Sequence, residues 1–119
     1  MEDKYFGEII YSYTSAQAEA DGILVDITKI NPKWEKGLFN YITTPLLEQG
    51  YIKENKLNIP NLLDLLNQAL QIVKEKTNNL QDFDSFFSGK IELPNGEKQE
   101  IFIELNETNR FTIMLPEDR

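Results

Sequence analysis

The side chains able to do chemistry in this sequence are carboxylates, hydroxyls and aromatic rings, because it contains no histidine and no cysteine. Two carboxylates can bind a cation or share general acid and base work. Asp82 and Asp84 have the spacing that starts a calcium loop, yet no glycine follows at the required position and no glutamate closes the loop. Glu97 with Glu100, and Glu104 with Glu107, offer the carboxylate pair of a glycosidase. Such enzymes need a deep cleft, and 119 residues leave little chain to build one. These six acids read best as a solvated acidic surface.

A second set lies near the start of the chain. Tyr11, Tyr13 and Trp34 are flat rings able to stack on a base or another planar ligand, although packing is the commoner use of such rings. Asp21 falls at the end of a short helical pattern, where the helix dipole disfavours a carboxylate. Asp26 follows an apolar run. In the preferred reading both aspartates bond backbone N–H groups and fix the local loop. The alternative is one polar recognition surface made of Tyr13, Thr14, Gln17, Asp21 and Asp26. Phosphate cradles are missing, since the six glycines never form a P-loop or a dinucleotide fingerprint.

Without histidine and cysteine there is no imidazole base, Ser-His pair, thiolate nucleophile, disulfide or cysteine–histidine metal site. The expectation is a non-enzyme with no cofactor and no metal. Twelve basic residues against twenty acidic ones leave a net charge of −8. From Asn79 onward the chain holds nine carboxylates and four basic residues. Scattered lysines and two arginines are a poor counter-surface for phosphates, so direct nucleic-acid binding is not expected. With no long apolar run and no basic leader in Met1-Glu2-Asp3-Lys4, a cytoplasmic protein with no membrane partner is expected.

The elements that must position these residues follow from periodicity and punctuation. Glu8 to Tyr13 reads as a strand, Thr14 or Ser15 as an N-cap, Ala16 to Ala20 as a short helix and Gly22 as its stop, before the apolar run Ile23-Leu24-Val25 ending at Asp26. Lys33 to Gly37 suggests a helical turn, and Leu38 to Ile42 a loosely alternating strand. Thr44 and Pro45 then open a helix as N-cap and first residue, Gly50 stops it, and Tyr51 to Asn58 reads as a polar connector. Pro60 to Thr77 is a long amphipathic helix with Leu62, Leu66, Ala69 and Val73 on one stripe, widened by Leu63 and Leu70 and by Leu65 or Ile72. After an acidic loop at Leu80 to Ser85, runs at Phe86–Leu93 and Lys98–Leu105 flank Pro94-Asn95-Gly96-Glu97, a hairpin signal, and Phe111, Ile113 and Leu115 alternate in a third strand. The sum is a single α+β domain over residues 1–119: strand–short helix–strand, a long helix packed on the sheet, and a C-terminal three-stranded antiparallel meander.

Tyr13-Thr14-Ser15-Ala16-Gln17-Ala18, Asp21-Gly22, Ile23-Leu24-Val25-Asp26 and the closing Thr112-Ile113-Met114-Leu115-Pro116 together resemble an uncharacterised family of small bacterial proteins encoded on plasmids, phages and integrative elements. Thr43 to Glu48 and Asn61 to Leu66 are looser matches to the same family's middle. Ser15 stands where the family often carries arginine, which implies loss of any ligand contact that arginine makes. The resemblance implies an accessory role in a mobile element. With the acidic charge, it leads to the expectation of a non-enzymatic protein-binding protein, anti-defence or regulatory, whose partner is a host or mobile-element protein with a basic surface. The alternative expectation is a small-ligand or nucleotide-binding module built on the Tyr13–Asp26 region. A third, oligomer-forming role would leave an apolar patch on the long helix or an open sheet edge.

Overall fold

The computed structural model describes residues 15–29, 37–54, 56–76 and 85–119. All of the strand expected at Glu8–Tyr13, and most of the expected turn at Lys33–Gly37 and acidic loop at Leu80–Ser85, lie outside the described residues.

The helix α1 (Ser15–Ala20) forms from the alanine-rich run and stops where the punctuation asked it to. Gly22 takes φ +80, its N–H donates to the Glu19 carbonyl, and the Ile23 N–H donates to the Ala18 carbonyl. This double closure is a Schellman cap, and it turns the chain directly into β1 (Leu24–Asp26). A 3-10 turn, Ile27–Lys29, follows.

The loosely alternating segment is indeed a strand, β2 (Phe39–Thr43), and all five of its residues are buried. Alternation fails there because both faces are covered. The short helix α2 (Thr44–Leu47) begins one residue earlier than expected, so Thr43 rather than Thr44 is its N-cap. Neither hydroxyl caps the helix: Thr43 Oγ1 donates to Asp118 Oδ2 (2.7 Å) and Thr44 Oγ1 to the Gly22 carbonyl (2.6 Å). The expected polar connector contains a two-stranded hairpin, β3 (Ile52–Lys53) with β4 (Lys56–Leu57), and begins with Tyr51, which is fully buried.

The long helix α3 spans Ile59–Lys76, with the Asn58 carboxamide oxygen accepting the Asn61 N–H (3.1 Å) at its start. Its buried stripe is Leu62, Leu65, Ala69, Ile72 and Val73. Leu66 and Leu70 are only partly buried and Leu63 is exposed, so the core-facing side is rotated from the expected one.

The meander is present as β5 (Phe86–Glu92), β6 (Lys98–Leu105) and β7 (Phe111–Met114), paired antiparallel in sequence order. At the first turn the Gly96 N–H donates to the Leu93 carbonyl and Gly96 has φ +90, while Asn95 stays at negative φ. Asn-Gly therefore builds a type I turn with a glycine bulge, for which Pro94 is pre-set, rather than a two-residue turn. The five-stranded sheet runs β1-β2-β7-β6-β5, with β2 and β7 parallel. Ile42, Ile113, Ile103 and Phe87 stand in one row across four strands. That face joins the buried residues of α3, Leu46, Leu47 and Tyr51 in one core. The result is one compact α+β domain.

Candidate functional site

The opposite face of the sheet is more polar. Tyr41, Thr112, Glu104 and Phe86 form one row there, and Met114, Phe102 and Ser88 are partners in the next. Over this face lie α1 on one side and a C-terminal 3-10 turn, Pro116–Asp118, on the other. Between them is a cavity of about 230 Å³. Its floor includes Thr43, Thr112, Met114 and Glu104, and its walls include Ser15, Ala18, Leu24, Asn106 and Asp118. Ile23 and Leu105 complete the lining, and these are two of the four large hydrophobic residues left exposed among the described residues.

Three polar clusters hold the walls. Glu107, in the β6–β7 turn, accepts the Ser15 N–H (2.8 Å) on one oxygen and the Ser15 hydroxyl (2.9 Å) on the other. A carboxylate thus satisfies an orphan N–H at the start of α1 and ties that helix to a turn 92 residues away. Desolvation pushes the Glu107 carboxyl up, but the backbone N–H groups of Glu107 and Ser15 and the Ser15 hydroxyl outweigh it, leaving Glu107 below the usual carboxylate value. Beneath that turn, Asn106 Nδ2 donates to Asn40 Oδ1 (2.8 Å) and Thr112 Oγ1 (3.0 Å), and Asn40 Nδ2 donates to Thr108 Oγ1 (2.9 Å). Asn40 sits where β2 slips register against β7, so the irregularity aims its amide into this network. On the far wall, Asp118 Oδ2 accepts Thr43 Oγ1 and the Leu115 N–H (3.3 Å).

Beside the cavity, Glu104 meets Arg119. The Arg119 Nε lies 3.3 Å from Glu104 Oε1 and its Nη2 donates to Oε2 at 3.4 Å. The same guanidinium sits 4.2 Å from the centroid of Phe86 and 6.0 Å from that of Phe102, and the two rings meet edge to face at 4.9 Å.

Of the residues singled out from sequence, Tyr11, Tyr13, Thr14, Trp34, Asp82 and Asp84 lie outside the described residues. Gln17 and Asp21 are exposed on and just after α1. Asp26 bonds its own loop: Oδ1 accepts the Thr28 N–H (2.9 Å) and hydroxyl (2.5 Å), at the start of the 3-10 turn. Glu97 and Glu100 are exposed on the β5–β6 hairpin, and register places Glu100 opposite Lys90 and Lys98 opposite Glu92. Glu107 is paired with Ser15, and Glu104 separately with Arg119. Thr43, Thr112, Met114 and Asp118 were not legible as site residues. The available signal was a hydroxyl at Thr112 inside an otherwise apolar run.

Among the described residues no group of three carboxylates comes together to hold a metal, and no helix is long and apolar enough to cross a membrane. Comparison with protein-family models, curated proteins and solved structures gave no match.

Proposed function

We propose that this chain is a small acidic, non-enzymatic binding protein that acts through protein–protein contact, receiving a basic segment of its partner at the cavity between α1 and the C-terminal turn. The observation that carries this reading is the composition of that cavity's lining. Exposed Ile23 and Leu105 stand beside the carboxylates Glu104 and Asp118 in one concavity. An aliphatic anchor in a concavity with polar groups at its rim is an arrangement that protein interfaces use. The net charge of −8 supports a basic partner, because opposite potentials steer encounter. In its most concrete form, the protein belongs to a mobile element and occupies a basic nucleic-acid site on a host protein.

The test is capture of a partner from host lysate with the full chain, repeated with Ile23→Ser/Leu105→Ser. A basic partner held by the wild type, released by salt and lost with the double variant is the expected result. Equal capture by both forms, or a tight complex with DNA at physiological salt, would overturn the reading.

The second reading, a small-ligand module, draws support from the cavity's position against α1 and β1. Its volume of about 230 Å³ is below the roughly 300–1,000 Å³ of drug-sized clefts, which favours a side chain over a nucleotide. Thermal stabilisation by a nucleotide would reverse that preference.

A further inference from the structure

We infer that Glu104, Phe86 and Phe102 form an arginine-recognition subsite adjoining the cavity, and that this chain's own Arg119 occupies it as an internal competitor. The inference rests on the binding reading above and adds to it the ligand class and a control.

The subsite has what a guanidinium needs and an ammonium does not use. A planar fork can meet both oxygens of one carboxylate while its flat face lies on a ring. Arg119 does both: Nε and Nη2 address the two oxygens of Glu104, and the guanidinium carbon stands 4.2 Å over the Phe86 centroid. Phe102 holds the Phe86 ring by an edge-to-face contact. All three receiving groups stand on the β5–β6 ladder, where Phe86 is the register partner of Glu104. They are therefore fixed by the sheet before any ligand arrives.

The occupant is held differently. Arg119 follows a single 3-10 turn, anchored by the Thr43–Asp118 hydrogen bond, and its side chain is 50% exposed. A half-exposed ion pair is a weak bond, so an arginine presented by a partner can exchange for it. Glu104 also lines the cavity. Displacing Arg119 turns that carboxylate over to the ligand and joins the aromatic shelf to the cavity. A plain staple of the 3-10 turn would predict that removing Arg119 only loosens that turn.

The experiment uses the full chain and N-acetyl-arginine amide, followed by amide chemical shifts in NMR at matched ionic strength, with N-acetyl-lysine amide as the control. Arg119→Ala is expected to bind the arginine probe about fivefold tighter than the wild type, the size of one weak ion pair with its ring contact. The shifts should centre on Phe86, Phe102 and Glu104, and Glu104→Gln in the same background should abolish them. Should Arg119→Ala fail to fold, the wild type is titrated instead. Shifts at Phe86 and Phe102 with arginine and not lysine then support the subsite. Equal affinity of Arg119→Ala and wild type, or no preference for arginine, overturns the inference. That outcome leaves the binding reading standing if the wild type still captures its basic partner through Ile23 and Leu105.

Discussion

Tyr51→Phe should make this protein more stable, and increasingly so in alkali. Tyr51 is 1% exposed and, among the described residues, its hydroxyl is a buried polar atom with no hydrogen-bond partner. Burial, helped by the Asp64 carboxylate, pushes its phenol from 10.0 up to about 12. Two consequences can be sized. At neutral pH an unbonded buried hydroxyl costs on the order of 1–3 kcal/mol, and phenylalanine removes it while keeping the ring. At high pH the folded state holds a proton that the unfolded state releases. Because the folded value is raised, its contribution is complete below pH 10 and is lost as pH climbs through about 12. The displacement of two pH units is worth on the order of 3 kcal/mol at full ionisation. Urea denaturation of both proteins from neutral pH to pH 12 reads both effects, with the slope m expected unchanged. The variant should be about 1 kcal/mol or more stabler at neutral pH, and the difference should stay flat to pH 10 and then widen. A variant destabilised at neutral pH, with parallel alkaline curves, would refute the reasoning, since the hydroxyl would then be bonded in solution.

Glu107→Gln should loosen α1. The lowered carboxyl contributes stability above the ordinary carboxylate range that is lost as pH falls through the folded value, so the variant and wild type should converge in acid. Glu107 is exposed, which holds the effect to about 1 kcal/mol or less, read by denaturation at neutral and acid pH. Gly89→Ala sets a Cβ 2.8 Å from Ile72 Cδ1 and should cost about 1–3 kcal/mol by overpacking, with Ile72→Val recovering part of it in a double-mutant cycle. Gln68→Ala removes two bonds that close the β5 edge, Glu92 N–H to Gln68 Oε1 (2.8 Å) and Gln68 Nε2 to the Glu92 carbonyl (3.0 Å). It should cost about 1 kcal/mol and raise light scattering on concentration, because an unprotected edge invites strand pairing.

Local signals carried far along this chain. Gly22 stops α1 because a left-handed C′ residue closes the Schellman bonds whatever surrounds it. The β5–β6 turn was legible because Pro94 and Gly96 meet their own backbone requirements within four residues. The small hairpin in the Tyr51–Asn58 connector escaped notice because its strands are two residues long and pair only in the company of α3 and the core. The long helix was legible as an element, yet its orientation was not. Eight apolar residues between Leu62 and Val73 spread over more than one face, and packing against Gly89 and the sheet chose Leu65 and Ile72 over Leu63 and Leu66.

By itself the sequence determined the longer elements among the described residues, the α+β class and the lack of imidazole and thiol side chains, because these depend on residue identity and short-range spacing. Only the tertiary structure decided where the acids go. Parallel pairing of β2 with β7 joins the N-terminal unit to the C-terminal meander, and so brings Ser15 to Glu107 and Thr43 to Asp118. Those contacts span 92 and 75 residues, and no periodicity reaches that far. Charge is additive along a chain, but whether a carboxylate faces solvent, caps a helix or holds an arginine depends on its neighbours in space.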